Sequence, residues 1–329
     1  MKPFDQLTEG GRNRRLRKLA LAALGEYDLD VATLRFLGRH SNSLFRLTAV
    51  DGSRYVVRVG INGPVAHPAS QVEAEAAWIE ALARDTSITV PEPIRNRAGS
   101  PVTTVAIDGV PDERNVVVFR WLDGRISDTT VSPAAMRAIG TVAARLHLHA
   151  ATWKPPQPFA ALSHDRVFPY DEPVVLFDGD HGGLLSPSRT AIFREAADRA
   201  TVAIDRLSAV EPMRVVHGDL HRWNVKIQRG IAAPFDFEDL LWGWPAQDIA
   251  ITFYYQWSDA RFRELNDAFR AGYETVAPWP ERHPGEIDTF IASRTLVIAN
   301  SVLLQPEWRG VAEEVFERGE RRIRDLLDI

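Results

Sequence analysis

Apolar residues in the first third of the chain fall in short runs rich in Val, Leu, Phe and Tyr, broken by polar positions. Residues 33–37, 44–50 and 54–59 read this way and predict strands. Asp51-Gly52 joins the last two, a strong hairpin signal. Ahead of them, residues 14–26 read as a helix with Asn13 as N-cap. Apolar spacing at Val72, Ala76, Ile79 and Leu82 predicts a helix over 70–82, and Pro91 and Pro93 close that unit. A second hairpin is expected around 96–100. Residues 115–122 form a buried strand that runs into Asp123-Gly124, a turn suited to a hinge. Beyond it the period lengthens, and helices are expected over 133–149, 189–207, 247–256, 261–276 and 287–304. Only short strands interrupt them, at 215–216, 225–227 and 232–235. The pattern predicts an α+β chain with a small β-rich lobe over 1–122 and a larger, mainly helical lobe over 123–329. There is no internal repeat and no low-complexity tract.

Composition narrows the possible partners. With 329 residues and 45% apolar content, the chain can bury two cores. A net charge of −5 argues against nucleic acid or an anionic membrane as partner. No uninterrupted apolar run approaches the roughly 18 residues of a membrane span. The N-terminus places basic residues before an apolar stretch, as signal peptides do. Asp5, Glu9 and the short run 19–24 fit an amphipathic helix better. Cysteine is absent, so no disulfide framework or thiolate metal site is available, and a cytoplasmic enzyme is expected.

The chemistry concentrates at residues 217–224, HGDLHRWN, with Asp236 twelve residues beyond Asn224 in FDFED. Flanking apolar runs make these loops at strand ends, bringing Asp219, Asn224 and Asp236 to one edge. Two carboxylates and an amide oxygen suit a hard, oxygen-seeking cation, hence Mg²⁺. Phosphoryl transfer needs an acid that orients or deprotonates a hydroxyl, together with oxygen donors for the metal. The spacing Asp219 to Asn224 is Asp-x-x-x-x-Asn, as in the protein-kinase catalytic loop, and Asp236-Phe237 stands where D-F-G stands. A rival reading makes His217, Asp219 and His221 ligands of a transition metal. The simpler role for His217 is to bond backbone near the second metal-binding turn. His221 supports Asp219 or a phosphate.

These two motifs, with Pro245-Ala246-Gln247-Asp248-Ile249 after them, resemble the aminoglycoside phosphotransferase and choline kinase superfamily. The closing run leans toward the branch holding type II homoserine kinase and the bacterial stress-response Ser/Thr kinases. The resemblance implies a protein-kinase-like two-lobed fold, with ATP and Mg²⁺ as cosubstrate and metal. It makes Asp219 the catalytic base, Asn224 and Asp236 metal ligands, and Asp248 a buried brace for the catalytic loop. No Walker A sequence occurs, and no G-x-G-x-x-G follows a strand. The phosphate loop is therefore placed at residues 38–43, with Asn42 and Ser43 the candidates. Arg58 occupies the strand position where a kinase carries Lys, and Glu75 is its helical partner, with Glu73 the alternative. By resemblance the adenine lies against Val57, Val117 and Phe119, its edge bonded by backbone of 119–121, which includes Trp121.

The expected acceptor is a small-molecule alcohol. Asp165, Asp171, Glu172, Asp178 and Asp180 form an acidic stretch that would favour an amine-bearing one. Trp242, Trp244, Tyr254 and Tyr255 either line that cleft or pack the core. A protein Ser/Thr kinase of the stress-response type is the alternative, although eleven residues between Asp236 and Asp248 leave no room for an activation segment. A catalytically weak nucleotide sensor is the other, and Arg58 in place of Lys is the feature that favours it.

Overall fold

The computed structural model describes residues 2–39, 42–61, 66–126 and 131–329, with backbone alone at 306 and 307. Two compact units emerge. One holds the residues up to Asp123 together with Pro155–Ala160, and the other holds Gly124–Lys154 and Ala161–Ile329.

The first unit opens with α1 (Glu9–Leu24), whose cap is the Thr8 hydroxyl accepting the Gly11 N–H at 3.2 Å. The helix therefore starts at Glu9 and not at Arg14. A side-chain cap contributes about 1 kcal/mol, comparable to what a glycine in a helix costs, so Gly10 and Gly11 do not break the first turn. β1 (Val31–Arg39), β2 (Ser43–Ala49) and β3 (Arg54–Val59) form an antiparallel meander, with Asp51-Gly52 turning the last pair. The helix α2 (Ala69–Asp85) follows, then β4 (Pro93–Ile94), β5 (Val102–Val105) and β6 (Arg114–Arg120). Residues 96–100 do make a turn, with the Asn96 N–H donating to Ser100 O at 2.8 Å. The strands beside that turn nevertheless both pair with β6 and not with each other, so the expected second hairpin is not one. Leu16, Leu19 and Leu24 of α1 meet Phe45, Leu47, Val57, Val59, Val116 and Val118 of the sheet in one buried core.

In the second unit β7 (Arg125–Ile126) leads to α3 (Pro133–Thr152), β8 (Leu162–Ser163) and α4 (Pro187–Val210). Next come β9 (Arg214–Val216), β10 (Val225–Gln228), β11 (Ile231–Pro234) and β12 (Leu241–Gly243). The helices α5 (Pro245–Tyr254), α6 (Phe262–Tyr273), α7 (Glu286–Leu304) and α8 (Ala312–Leu327) complete it. Two small three-stranded sheets, ordered β11-β10-β7 and β8-β12-β9, carry the loops that matter. α3 and α6 cross in backbone contact. A methyl group at Gly140 would lie 2.0 Å from Phe269 O, and one at Gly272 1.9 Å from Arg137 O.

A second core gathers Phe193 and Ala196 of α4, Leu296 and Ala299 of α7, and Phe316 and Ile323 of α8. The pattern reading had no helix at α8, although its buried residues 312, 316, 319, 323 and 327 keep helical spacing. α7 also corrects the expectation about spans. It has 19 residues, and an 18-residue window within it has a mean hydropathy of 1.4, enough to cross a bilayer by length and composition. Two thirds of that window is buried inside the protein, which makes it the unit's core helix.

Candidate active site

Val215 and Val216 of β9 are buried and anchor the loop that follows. Gly218 then adopts φ +78°, and a Cβ there would sit 2.1 Å from Asp239 O, so only glycine fits between His217 and Asp219. Asp248, in the first turn of α5, accepts the Gly218 N–H at 2.9 Å and the His217 N–H at 3.4 Å. Its Oδ2 also meets His147 Nε2 at 3.0 Å, and His147 Nδ1 reaches Tyr273 Oη at the same distance. Burial pushes the Asp248 carboxyl up, but His147, His217 and the Gly218 N–H outweigh it and hold the group below its ordinary range. Asp248 thus ties the loop to the helical core, as the resemblance implied.

Asp219 is held on both oxygens. Oδ1 lies 3.3 Å from Tyr255 Oη and 3.3 Å from Arg294 Nη2. Oδ2 accepts from Asn224 Nδ2 at 3.0 Å and stands 3.1 Å from His221 Nε2. His221 Nδ1 accepts the Trp223 N–H at 3.2 Å, so the ring proton belongs on Nε2, which donates to Asp219. Desolvation raises the Asp219 carboxyl, while His221, Arg294 and His217 together lower it further, leaving it ionised below its usual range.

The spacing from Asn224 to Asp236 is explained by the β10–β11 hairpin. Val225 pairs with Pro234, and the Phe235 N–H donates to Asn224 O at 2.9 Å, so both candidates stand at its open end. Asp236 has φ +66°, the left-handed region that Asp tolerates better than most residues, and it is exposed. Its neighbours are fixed: His217 Nε2 donates to Phe235 O at 3.2 Å, and the buried Phe237 ring lies 4.5 Å from the His217 ring. His217 therefore bonds backbone at the second turn, as expected. Its Nδ1 accepts the Asp219 N–H at 3.3 Å, which occupies both ring nitrogens and removes it from any transition-metal set. Among the described residues no group of three His, Cys, Asp or Glu is placed to hold a metal ion. Asn224 commits its amide nitrogen to Asp219 O and Oδ2, both at 3.0 Å. Its amide oxygen and the exposed Asp236 carboxylate make a hard-oxygen donor pair that suits Mg²⁺ with water in its remaining positions.

In the first unit Arg58 and Glu75 form a buried bidentate pair, with Nη1 to Oε1 at 2.9 Å and Nη2 bonded to Oε2. Glu73, the alternative partner, is exposed. The Arg58 guanidinium lies 5.1 Å over the Phe119 ring, with Val57 and Val117 buried beside it. The expected adenine contacts of 119–121 are narrowed by the sheet. The Arg120 N–H already donates to Glu92 O at 2.8 Å and the Trp121 N–H to Arg54 O at 3.1 Å. Ser43 opens β2 and is buried, Asn42 precedes it half-buried, and His40 and Ser41 of the phosphate loop lie outside the described residues.

Three residues of this cluster had no assigned role in the sequence reading. His147 hides in an apolar helix face. Arg294 lies in the middle of α7, and its side chain is 9% exposed. Its Nη1 donates to Tyr170 Oη at 3.1 Å, and its Nη2 faces Asp219 and Tyr255. The available signal was a lone arginine in a long apolar helix. Tyr170, with its hydroxyl on Arg294, brings the segment 163–182 to this cluster. The acids Asp165, Asp171, Asp178 and Asp180 are exposed, with Asp171 3.7 Å from Arg166, and Glu172 accepts from Ser301.

Comparison with known proteins gives the family and the fold. The model of the phosphotransferase enzyme family matches residues 33–285. No curated protein matches the chain in sequence. Among solved structures, a microcompartment-associated aminopropanol kinase superposes with a TM-score of 0.76 at 23% identity, over 94% of this chain and 97% of the other. Amicoumacin kinase, solved with AMP-PNP and Ca²⁺, gives 0.72 at 19% identity, over 97% and 95%. Spectinomycin phosphotransferase, solved with ADP and its antibiotic, gives 0.62 at 10% identity, over 95% and 98%. These neighbours share the protein-kinase-like fold, a β-rich N-terminal lobe and a helical C-terminal lobe. The family match covers well over half of the chain, so the protein belongs to the phosphotransferase enzyme family and is a kinase.

Proposed function

We propose that the protein transfers the γ-phosphoryl group of Mg-ATP to a hydroxyl of a small-molecule alcohol. The observation that carries this reading is the arrangement at Asp219. It is an ionised carboxylate bonded on both oxygens, with Asn224 turned so that its amide oxygen remains for a cation. Asn224 and Asp236 would hold the metal, and Arg58, kept by Glu75, would face the phosphates with Asn42 and Ser43 beside them. When bound, Mg-ATP supplies the electrophilic γ-phosphorus with its oxygen charge neutralised. Asp219 orients the acceptor hydroxyl and takes its proton as the new P–O bond forms. The bond to the β-phosphate oxygen breaks, and its electron pair leaves on ADP. His221 and Tyr255 keep Asp219 from rotating away. A cytoplasmic setting, where Mg-ATP is plentiful, goes with this reading.

One observation favours a second reading, a nucleotide sensor: arginine stands at position 58, where a kinase carries lysine. The two separate in one experiment. Purified protein with Mg-ATP is screened against a panel of small alcohols, scoring ADP release above the rate without acceptor. Stimulation by an alcohol supports the kinase. Nucleotide binding with no stimulation, and activity created by Arg58→Lys, would make the wild-type chain a sensor. Phosphorylation of a generic protein with no alcohol accepted would instead favour the Ser/Thr kinase alternative.

A further inference from the structure

We infer that the alcohol acceptor carries a carboxylate close to its hydroxyl, and that Arg294 with Tyr170 receives it. This rests on the phosphotransfer reading above and specifies its substrate.

The argument starts from how loosely Arg294 is held. A guanidinium offers five N–H donors. Arg294 is nine-tenths buried, yet its contacts are single and long: 3.1 Å to Tyr170, 3.3 Å to Asp219 and 3.5 Å to Tyr255, with Nε unpartnered. Elsewhere the same chain shows how it holds a purely structural arginine: Arg189 spreads its fork over Glu313, Glu320 and Leu184 O. A buried cation whose carboxylate contact is a single monodentate one is poorly compensated unless a further acceptor arrives. Planar bidentate contact with a carboxylate is what that fork is shaped for.

The surroundings agree. Tyr170 and Tyr255 are kept neutral by burial, Tyr170 being pushed up to about 12, and His164 is held neutral by burial at about 3. Asp239 acts on Tyr170 only at longer range. Among the described residues Asp219 is thus the carboxylate in contact with Arg294, and it is already shared with three other donors, Asn224, Tyr255 and His221. A tight pair with Arg294 would also withdraw the oxygen that must receive the alcohol proton. An acceptor carboxylate that engages Arg294 and Tyr170 relieves this conflict and brings its own hydroxyl to Asp219.

Size follows from distance. Arg294 Nη2 and Asp219 Oδ1 are 3.3 Å apart. Hydrogen bonds of about 2.7–2.9 Å at each end limit the separation of the acceptor's hydroxyl and carboxylate oxygens to roughly 9 Å. The acceptor's hydroxyl and carboxylate are therefore separated by no more than about four carbons, as in a hydroxy acid or hydroxy amino acid.

The test measures ADP release by the full chain with Mg-ATP and linear three- to five-carbon alcohols. Each alcohol carries a terminal carboxylate, an ammonium, both, or a neutral amide. The carboxylate-bearing alcohols should show kcat/KM at least tenfold above the ammonium and amide isosteres. Arg294→Met should abolish that preference through KM, and Arg294→Lys should restore part of it. Tyr170→Phe, which removes a single hydroxyl and guards against misfolding of the arginine variants, should raise KM severalfold for carboxylates alone. A preference for the ammonium or amide isostere, or a carboxylate preference that survives in Arg294→Met, would overturn the inference while leaving the kinase reading intact. No ADP release with any alcohol would sink both.

Discussion

At the scale of single residues, the cluster around Asp219 makes separable demands. Asp219→Asn keeps the shape and removes the base, so kcat should fall by roughly two to four decades, the usual range for a general base. The KM for ATP should stay near the wild-type value in the same steady-state assay. Asn224→Ala and Asp236→Ala should each raise the Mg²⁺ concentration needed for half-maximal activity. The Asp236 variant should be worse, because it removes a full charge. The placement of Asp219, Asn224 and Asp236 was legible because the three are local. One loop and one hairpin set their spacing, and short-range chemistry shows in short-range sequence. Arg294 was not legible. It arrives from 75 residues away on a helix that reads as plain core. Nothing in an apolar period announces which way a single arginine turns.

At the scale of elements, the two units rest on different contacts. The α3–α6 crossing depends on backbone touching backbone at Gly140 and Gly272. Gly140→Ala should destabilise by at least about 1–3 kcal/mol, the usual cost of overpacking, because a carbonyl oxygen cannot swing aside as a side chain can. Denaturant unfolding of the variant checks this. In the first unit, Glu75→Ala should cost about 3–5 kcal/mol by taking the bidentate carboxylate away from the buried Arg58. Glu75→Gln should recover part of that loss. The strands and most helices were readable from period and turn residues. The misreadings have specific causes. Two glycines masked the start of α1, a turn at 96–100 looked like a hairpin although both flanking strands pair with β6, and charged residues diluted the apolar stripe of α8.

At the scale of the whole molecule, stability and activity should respond differently to pH. His164 is buried and held neutral down to about 3, against an ordinary value of 6.5. Its folded value is depressed, so below pH 6.5 the unfolded chain binds a proton that the fold refuses, and stability falls as pH falls from 6.5 toward 3. The slope from this one group is at most about 1.4 kcal/mol per pH unit. His164→Asn should flatten it in unfolding curves taken between pH 6.5 and 4. The loss of activity in Asp219→Asn should persist at neutral pH, where that stability term is fully present. The most direct test of the central claim follows the phosphoryl group itself. Protein, Mg²⁺ and ATP labelled at the γ-phosphate are incubated with the short alcohol panel, and label is quantified on alcohol, inorganic phosphate and protein. The account predicts label on an alcohol in a one-to-one ratio with ADP, reduced by about two to four decades in Asp219→Asn. Label found only in inorganic phosphate or on protein, or transfer to alcohol at the full rate without Asp219, would contradict it.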